Sequence, residues 1–239
     1  MRIFFYTLFV GIALITAGCT AQQISSALGS MSSSRPVSES EAASGIQAAL
    51  NQGVTKSIAA LNIKDGFYGN NFYKLFLPSE VEAVVSVLEN AGMGNLVNQA
   101  VETINRAAED AVGTAGPIFV NAIKSMTISD ALGIVKGGQA SATDFFRTKT
   151  STELKTAFMP SIQQSLNKTG ATKYYGDIVN TYNAIPLVKK INPDLADYVA
   201  DKAIYALFDQ IAKEEKNIRE NPLARGTELL QRVFGGSVK

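Results

Sequence analysis

A chain of 239 residues, 46% of them hydrophobic, is long enough to bury one fair-sized core. Its 22 Lys and Arg against 21 Asp and Glu leave a formal charge of +1, which gives no electrostatic footprint for nucleic acid and no basic belt for an anionic lipid surface. The absence of histidine excludes Ser-His-Asp and Cys-His triads, histidine metal sites and the usual neutral-pH general base, and a single cysteine excludes an intrachain disulfide.

The chain opens on Met1-Arg2 and then on Ile3 to Ile15, an uncharged and almost wholly apolar run of signal-peptide length, too short to span a bilayer comfortably. Thr16-Ala17-Gly18-Cys19 puts two small residues before the only cysteine and resembles the bacterial lipobox, although Thr16 stands where an aliphatic residue is usual. The expected product is a signal peptide over residues 1–18 and lipidation of Cys19, with palmitate among its acyl chains. By the same resemblance Thr20, which is not Asp, sorts the lipoprotein to the outer membrane, its domain facing the periplasm. Each buried methylene contributes about 0.8 kcal/mol, so two or three acyl chains make such an anchor essentially permanent. Residues 19–37, rich in Ser and Gln, read as a flexible tether spanning about 20 to 25 Å.

Residues 38–239 read as one helical domain. Ser38-Glu39-Ser40-Glu41 is a capping box, followed by Ile46, Leu50, Val54, Ile58 and Leu61 at helical spacing. Asp65-Gly66-Phe67 is a turn, and Phe67 to Leu77 is expected to be extended or a short hairpin. Pro78-Ser79 opens a helix with Val81, Val84, Val85 and Leu88 inward, and Gly92 stops it. From Gly94, Leu96, Val97, Ala100, Val101, Ile104, Ala107, Ala108 and Ala111 make one broad apolar face. Gly113 and Gly116-Pro117 are expected to interrupt the helix, before a nearly all-apolar helix from Ile118 to Met126 in which Lys124 is conspicuous.

Thr127 with Asp130 is a second capping box, for a short helix that Gly137-Gly138 ends. A third, Thr150 to Glu153, is expected to open a helix through Leu166 that Pro160 kinks or divides. Gly170 closes it, and Tyr174 to Tyr182 makes another helix. Asn192 as cap and Pro193 at the first position start the longest helix, which runs to Glu220. Leu229-Leu230 and Val233-Phe234 complete the pattern with a terminal amphipathic helix, so the fold class is all-α, a single multi-helix, bundle-like domain after the leader and tether.

With the central and C-terminal segments in view, the chain resembles a family of bacterial secreted proteins and lipoproteins known only as domain of unknown function 4197. The residues that carry the resemblance include Asp65-Gly66-Phe67, Asn105-Arg106-Ala107-Ala108-Glu109, Ala122-Ile123-Lys124, Asp130-Ala131, Tyr198-Val199, Glu214-Glu215-Lys216-Asn217-Ile218-Arg219, Asn221-Pro222 and Arg225. The resemblance implies a helical exported domain and brings no activity with it. Val112-Gly113 stands where the family pattern has proline after the Ala-Ala-Glu block.

Asn105, Glu109, Lys124, Asp130, Arg147, Glu215, Arg219 and Arg225 are polar residues set in or beside apolar helical pattern. On the functional reading they form a polar pocket, with Glu109 or Glu215 as the general acid of a glycan hydrolase, or with Lys124 and the arginines gripping an anionic ligand. On the structural reading they are buried ion pairs and caps that fix how helices dock. Asn105, Glu109, Lys124 and Asp130 are expected to meet the Glu215 to Arg225 segment across the core. No metal or cofactor motif is present, the Asp194, Asp197, Asp201 stripe lacking calcium-loop geometry. The favoured function is a membrane-tethered envelope module that binds a partner protein, lipid or wall component, and not nucleic acid; an apolar ligand cavity between the helices is left open.

Overall fold

The computed structural model describes residues 37–184, 186–187 and 190–234, so the leader, Cys19 and the tether up to Pro36 lie outside the described residues. Within them the chain is all-α: α1 (Glu39–Leu61), α2 (Glu82–Asn90), α3 (Gly94–Val112), α4 (Gly116–Lys124), α5 (Ile128–Lys136), α6 (Ser141–Thr169), α7 (Ala171–Asn183), α8 (Leu195–Glu220) and α9 (Glu228–Phe234). Val37, expected to end the tether, is instead packed into the core. Among the described residues no single helix is long and apolar enough to cross a membrane.

The capping boxes at Ser38/Glu41 and Thr127/Asp130 both form and start α1 and α5. The third does not. Thr150 lies inside α6, buried, with its hydroxyl bonded back to the carbonyl of Phe146 at 2.8 Å. Helix α6 also runs through Pro160, which faces solvent, so the carbonyl that proline leaves without a donor can be hydrated. Its buried stripe is Phe146, Thr150, Leu154, Phe158, Ile162 and Leu166, each four residues after the last. Such a stripe precesses by about 40° per step and presents its apolar face to different neighbours along the helix.

The Gly113 and Gly116-Pro117 interruption is also milder than expected. One 3-10 turn, Gly113–Ala115, joins α3 to α4, and Gly116 stays in the right-handed helical region at φ −52°, ψ −55°, because it has no Cβ to clash with the proline ring. A Cβ on Gly113 would lie 2.8 Å from Nδ2 of Asn62, whose amide donates to the Glu109 carbonyl. Helix α8 starts later than expected, with Asp194 as its cap accepting from the backbone of Ala196 and Asp197. Asn192 instead holds Asp194 in a side-chain turn, at 2.9 Å.

Helices α3, α6 and α8 pack on one another, and α1 closes over α8 with α4, α5 and α9 around it. Phe119 meets Phe146 and Phe208 edge-on, at 5.0 and 6.2 Å between ring centres, where α4, α6 and α8 converge. Burial of each such side chain is worth about 1.5–3 kcal/mol. Helix α2 differs from the rest. None of its residues is fully buried, and Val84, Val85 and Leu88 are only half-buried.

Candidate functional site

Asn105 and Glu109, one turn apart on α3, both serve the loop 62–78, which forms turns and an irregular run without a strand. Asn105 is fully buried; its Oδ1 accepts from the Leu75 amide and its Nδ2 donates to the Leu75 carbonyl, both at 2.8 Å. Glu109 accepts from the backbone of Phe67 at 3.0 Å and Tyr68 at 3.1 Å, and from Arg106 at 2.8 Å. Arg106 also reaches Asp65 and Glu102, and its pKa is raised, first by the hydrogen bond to Glu109.

Glu215 and Arg219 serve a different joint. The first turn of α6 has no side-chain cap of its own, and Glu215 of α8 supplies one by accepting from Ala142 N at 3.0 Å, Thr143 N at 2.9 Å and the Thr143 hydroxyl at 2.8 Å. Arg219 closes on Glu215 at 2.8 Å and donates to the Ile134 carbonyl near the end of α5 and to Ser141. Arg225 in turn donates to the carbonyls of Ile218 and Arg219 in the last turn of α8. The expected meeting of the two polar groups across the core is therefore corrected: Glu109 is held by the 62–78 loop, and Glu215 by the start of α6.

The remaining candidates separate further. Lys124, conspicuous in its nearly all-apolar helix, is exposed at the end of α4, because the apolar face of that short helix is covered on one side only. Asp130 is engaged in its capping box, and the Thr127 backbone hydrogen bond holds its carboxyl below the ordinary value. Arg147 lies exposed over the Phe208 ring at 4.9 Å. Asp197 and Asp201 clasp Lys155 at 2.6 and 2.8 Å, and among the described residues no group of three or more His, Cys, Asp or Glu could hold a metal ion.

Chemically, Glu109 and Glu215 are 4% and 9% exposed, each bound to an arginine and to two backbone amides, so neither offers an open carboxyl to a substrate. A third polar knot joins the loop to α8, through an i, i+4 pair, Asp209 and Lys213, and Tyr73, whose part in it the sequence does not signal. The Tyr73 hydroxyl lies 2.7 Å from Asp209 and 2.9 Å from Gln210, and accepts from Lys213 at 2.7 Å. Burial raises the Tyr73 pKa, so the phenol stays protonated.

Two surface hollows, one by Arg147, Lys155 and Asp201 and one by Asp130, Asp144 and Lys149, have charged groups in their linings, whereas a third space is mostly apolar. A cavity of about 850 Å3 lies between α2 and α3 on one side and the end of α6, the start of α7 and the start of α8 on the other. Leu77, Val81, Val84, Val85, Leu88, Val97, Ala100, Ala171, Tyr175 and Leu195 are among the residues that line it, with Gln99, Glu102, Thr103, Arg106, Ser165, Lys168 and Thr169 as polar groups. The Tyr175 hydroxyl bonds to the Asn192 carbonyl, and burial pushes its pKa up to about 12, leaving the ring as a neutral wall. The half-buried valines of α2 explain why this space was not legible as a site: their spacing is that of any core-facing helix, and only the distance to the opposite wall shows that nothing fills the gap.

The family model described as "Protein of unknown function (DUF4197)" matches residues 36–235, a span that takes in all the described helices. No curated protein matches the chain, and no solved structure does.

Proposed function

The chain belongs to this family of unknown function, and from that premise we propose that its helical domain binds a single-chain amphiphile, such as a fatty acid or lysophospholipid, with the acyl chain in the α2–α3 cavity. The observation that carries the reading is the cavity itself: about 850 Å3, within the range of small-molecule sites, with apolar walls from α2, α3, α7 and α8. Each methylene transferred there from water contributes about 0.8 kcal/mol, so a long chain gives micromolar binding or better without a strong headgroup contact. The polar residues on the walls offer both charges, with Lys168 free of any carboxylate partner among the described residues. The proposal includes the setting read from the first residues: an exported lipoprotein anchored through Cys19 in the outer membrane and facing the periplasm. Hydrolysis of glycans by Glu109 or Glu215 has no such support, because a general acid must face an open cleft with a second carboxylate, and both side chains are closed by their own partners.

Native mass spectrometry of the protein purified from envelopes tests the binding. One amphiphile-sized adduct per chain is expected, absent from Ala100→Trp, which fills the cavity from α3; a bare native chain, or an adduct that survives in the variant, contradicts the reading. Fatty-acid labelling tests the setting, and a label that persists in Cys19→Ser contradicts it.

A further inference from the structure

The loop 62–78 is held more firmly than a connection of its length requires. Glu109 fixes the amides of Phe67 and Tyr68, Asn70 accepts from Phe72 and Tyr73, Asn105 pairs both backbone groups of Leu75, and the Tyr198 hydroxyl donates to the Phe76 carbonyl at 3.0 Å. Phe67, Tyr73 and Leu75 point inward and are buried. The same bracing holds Phe72 and Phe76 outward, 87% and 62% exposed. A rigid loop that keeps two phenylalanines in water forgoes the gain from their burial unless something else covers them.

Cations accompany these rings. Lys213 lies 5.3 Å from the Phe72 ring centre and Lys74 lies 5.7 Å from that of Phe76 and 4.3 Å from that of Tyr68. The nearby acids Asp65, Glu102, Glu109 and Asp209 are engaged by Arg106 or Lys213, and Lys74 has no carboxylate partner among the described residues. Rings that enter the boundary of the acyl region beside an ammonium group able to reach phosphate are the chemistry of an interfacial anchor, and here that group is Lys74, since Lys213 is held by Asp209 and Tyr73. The loop also borders the cavity: Leu77, next after Phe76, lines it, as does Arg106, which stacks on Tyr68 at 5.3 Å.

We propose that the loop carrying Phe72 and Phe76 docks on a phospholipid bilayer surface, beside the cavity mouth, as a contact separate from the N-terminal anchor. The choice of a bilayer over a protein partner rests on the proposed reading of the cavity, whose amphiphile would come from that surface. The geometry of the contact is the loop's own and requires no ligand in the cavity.

The chain contains no tryptophan, so Phe76→Trp and Leu223→Trp each create a single fluorescent reporter. Leu223 is 94% exposed just beyond the end of α8, whose 26 residues span about 39 Å, whereas Phe76 is bonded near its start. The full chain is reconstituted through its N-terminal segment into vesicles of phosphatidylethanolamine and phosphatidylglycerol carrying lipid brominated near the headgroup. The Phe76→Trp reporter is expected to shift to shorter wavelength and to be quenched about twofold more than the Leu223→Trp reporter, a difference that Lys74→Glu reduces. Equal quenching, no quenching, or quenching of Leu223→Trp alone overturns the proposal, the last two leaving the loop to a protein partner. Ligand adducts are measured without vesicles, so a chain that docks but carries no amphiphile retains the docking and rejects only the cavity reading.

Discussion

The joint made by Glu215 and Arg219 and the cavity behind α2 both lie against helix α3, α6 or α8, yet they are opposite in kind. At the joint, buried polar atoms from α5, α6 and α8 close on one another, and the arrangement has nothing left to offer a ligand. At the cavity, apolar side chains from four helices face a space that nothing in the described chain fills. Paired charge in this protein is therefore architecture, and unfilled apolar surface is where binding is to be sought.

That contrast can be broken most forcefully at the joint. Glu215→Ala leaves the buried first amides of α6 without their acceptor and the half-buried Arg219 guanidinium without its carboxylate, though still bonded to Ile134 and Ser141, and chemical denaturation is expected to show a loss of about 3–5 kcal/mol. A loss below about 1 kcal/mol places the joint among ordinary surface pairs. Next in size is the difference between two truncations. Leu154→Ala in the packed core is expected to cost about 2–5 kcal/mol, while Val97→Ala on the cavity wall costs under about 1.5, since its side chain already lacks neighbours on one side. Equal costs contradict an open cavity.

Asn105→Ala removes both partners of the Leu75 backbone, for about 1–3 kcal/mol, and amide exchange is expected to quicken at Leu75 before the core opens. The smallest effect is one of pH. Burial alone would raise the Asp209 pKa, but hydrogen bonds from Lys213 and Tyr73 outweigh it and leave the carboxyl below its ordinary value. A depressed carboxylate contributes stability above its unfolded pKa and loses it as pH falls through the folded one. The Tyr73 knot should therefore stay closed at neutral pH and loosen only below about pH 4. Tyrosine ring resonances that move near neutral pH contradict this.

The helical class, two of three capping boxes and the αL end of α6 at Gly170 were legible because each depends on residues within a few positions. The third box failed because Thr150 had two local options, cap and back-bond, and the tertiary packing of Phe146 and Leu154 decided between them. Helix α6 reads as divided in the sequence because its stripe precesses and Pro160 signals a break, whereas in the fold the proline faces water. Lys124 and the α3–α4 junction show the same limit, for a nearly apolar segment does not reveal which side will be left uncovered. Asn105, Glu109, Glu215 and Arg225 stand out in the sequence as polar residues in apolar pattern and are buried, but the partners that Asn105 and Glu215 hold lie 30 to 73 residues away and are not paired by spacing. The cavity left no mark in sequence at all, since it is defined by what the opposite wall does not reach.

The central claim is that this space takes an acyl chain, and titration of the protein with a fluorescent fatty acid tests it most directly. One saturable site of micromolar affinity or better is expected, lost in Ala100→Trp and unchanged in Lys124→Ala. No saturable binding, or equal binding by native and Ala100→Trp chains, contradicts the account.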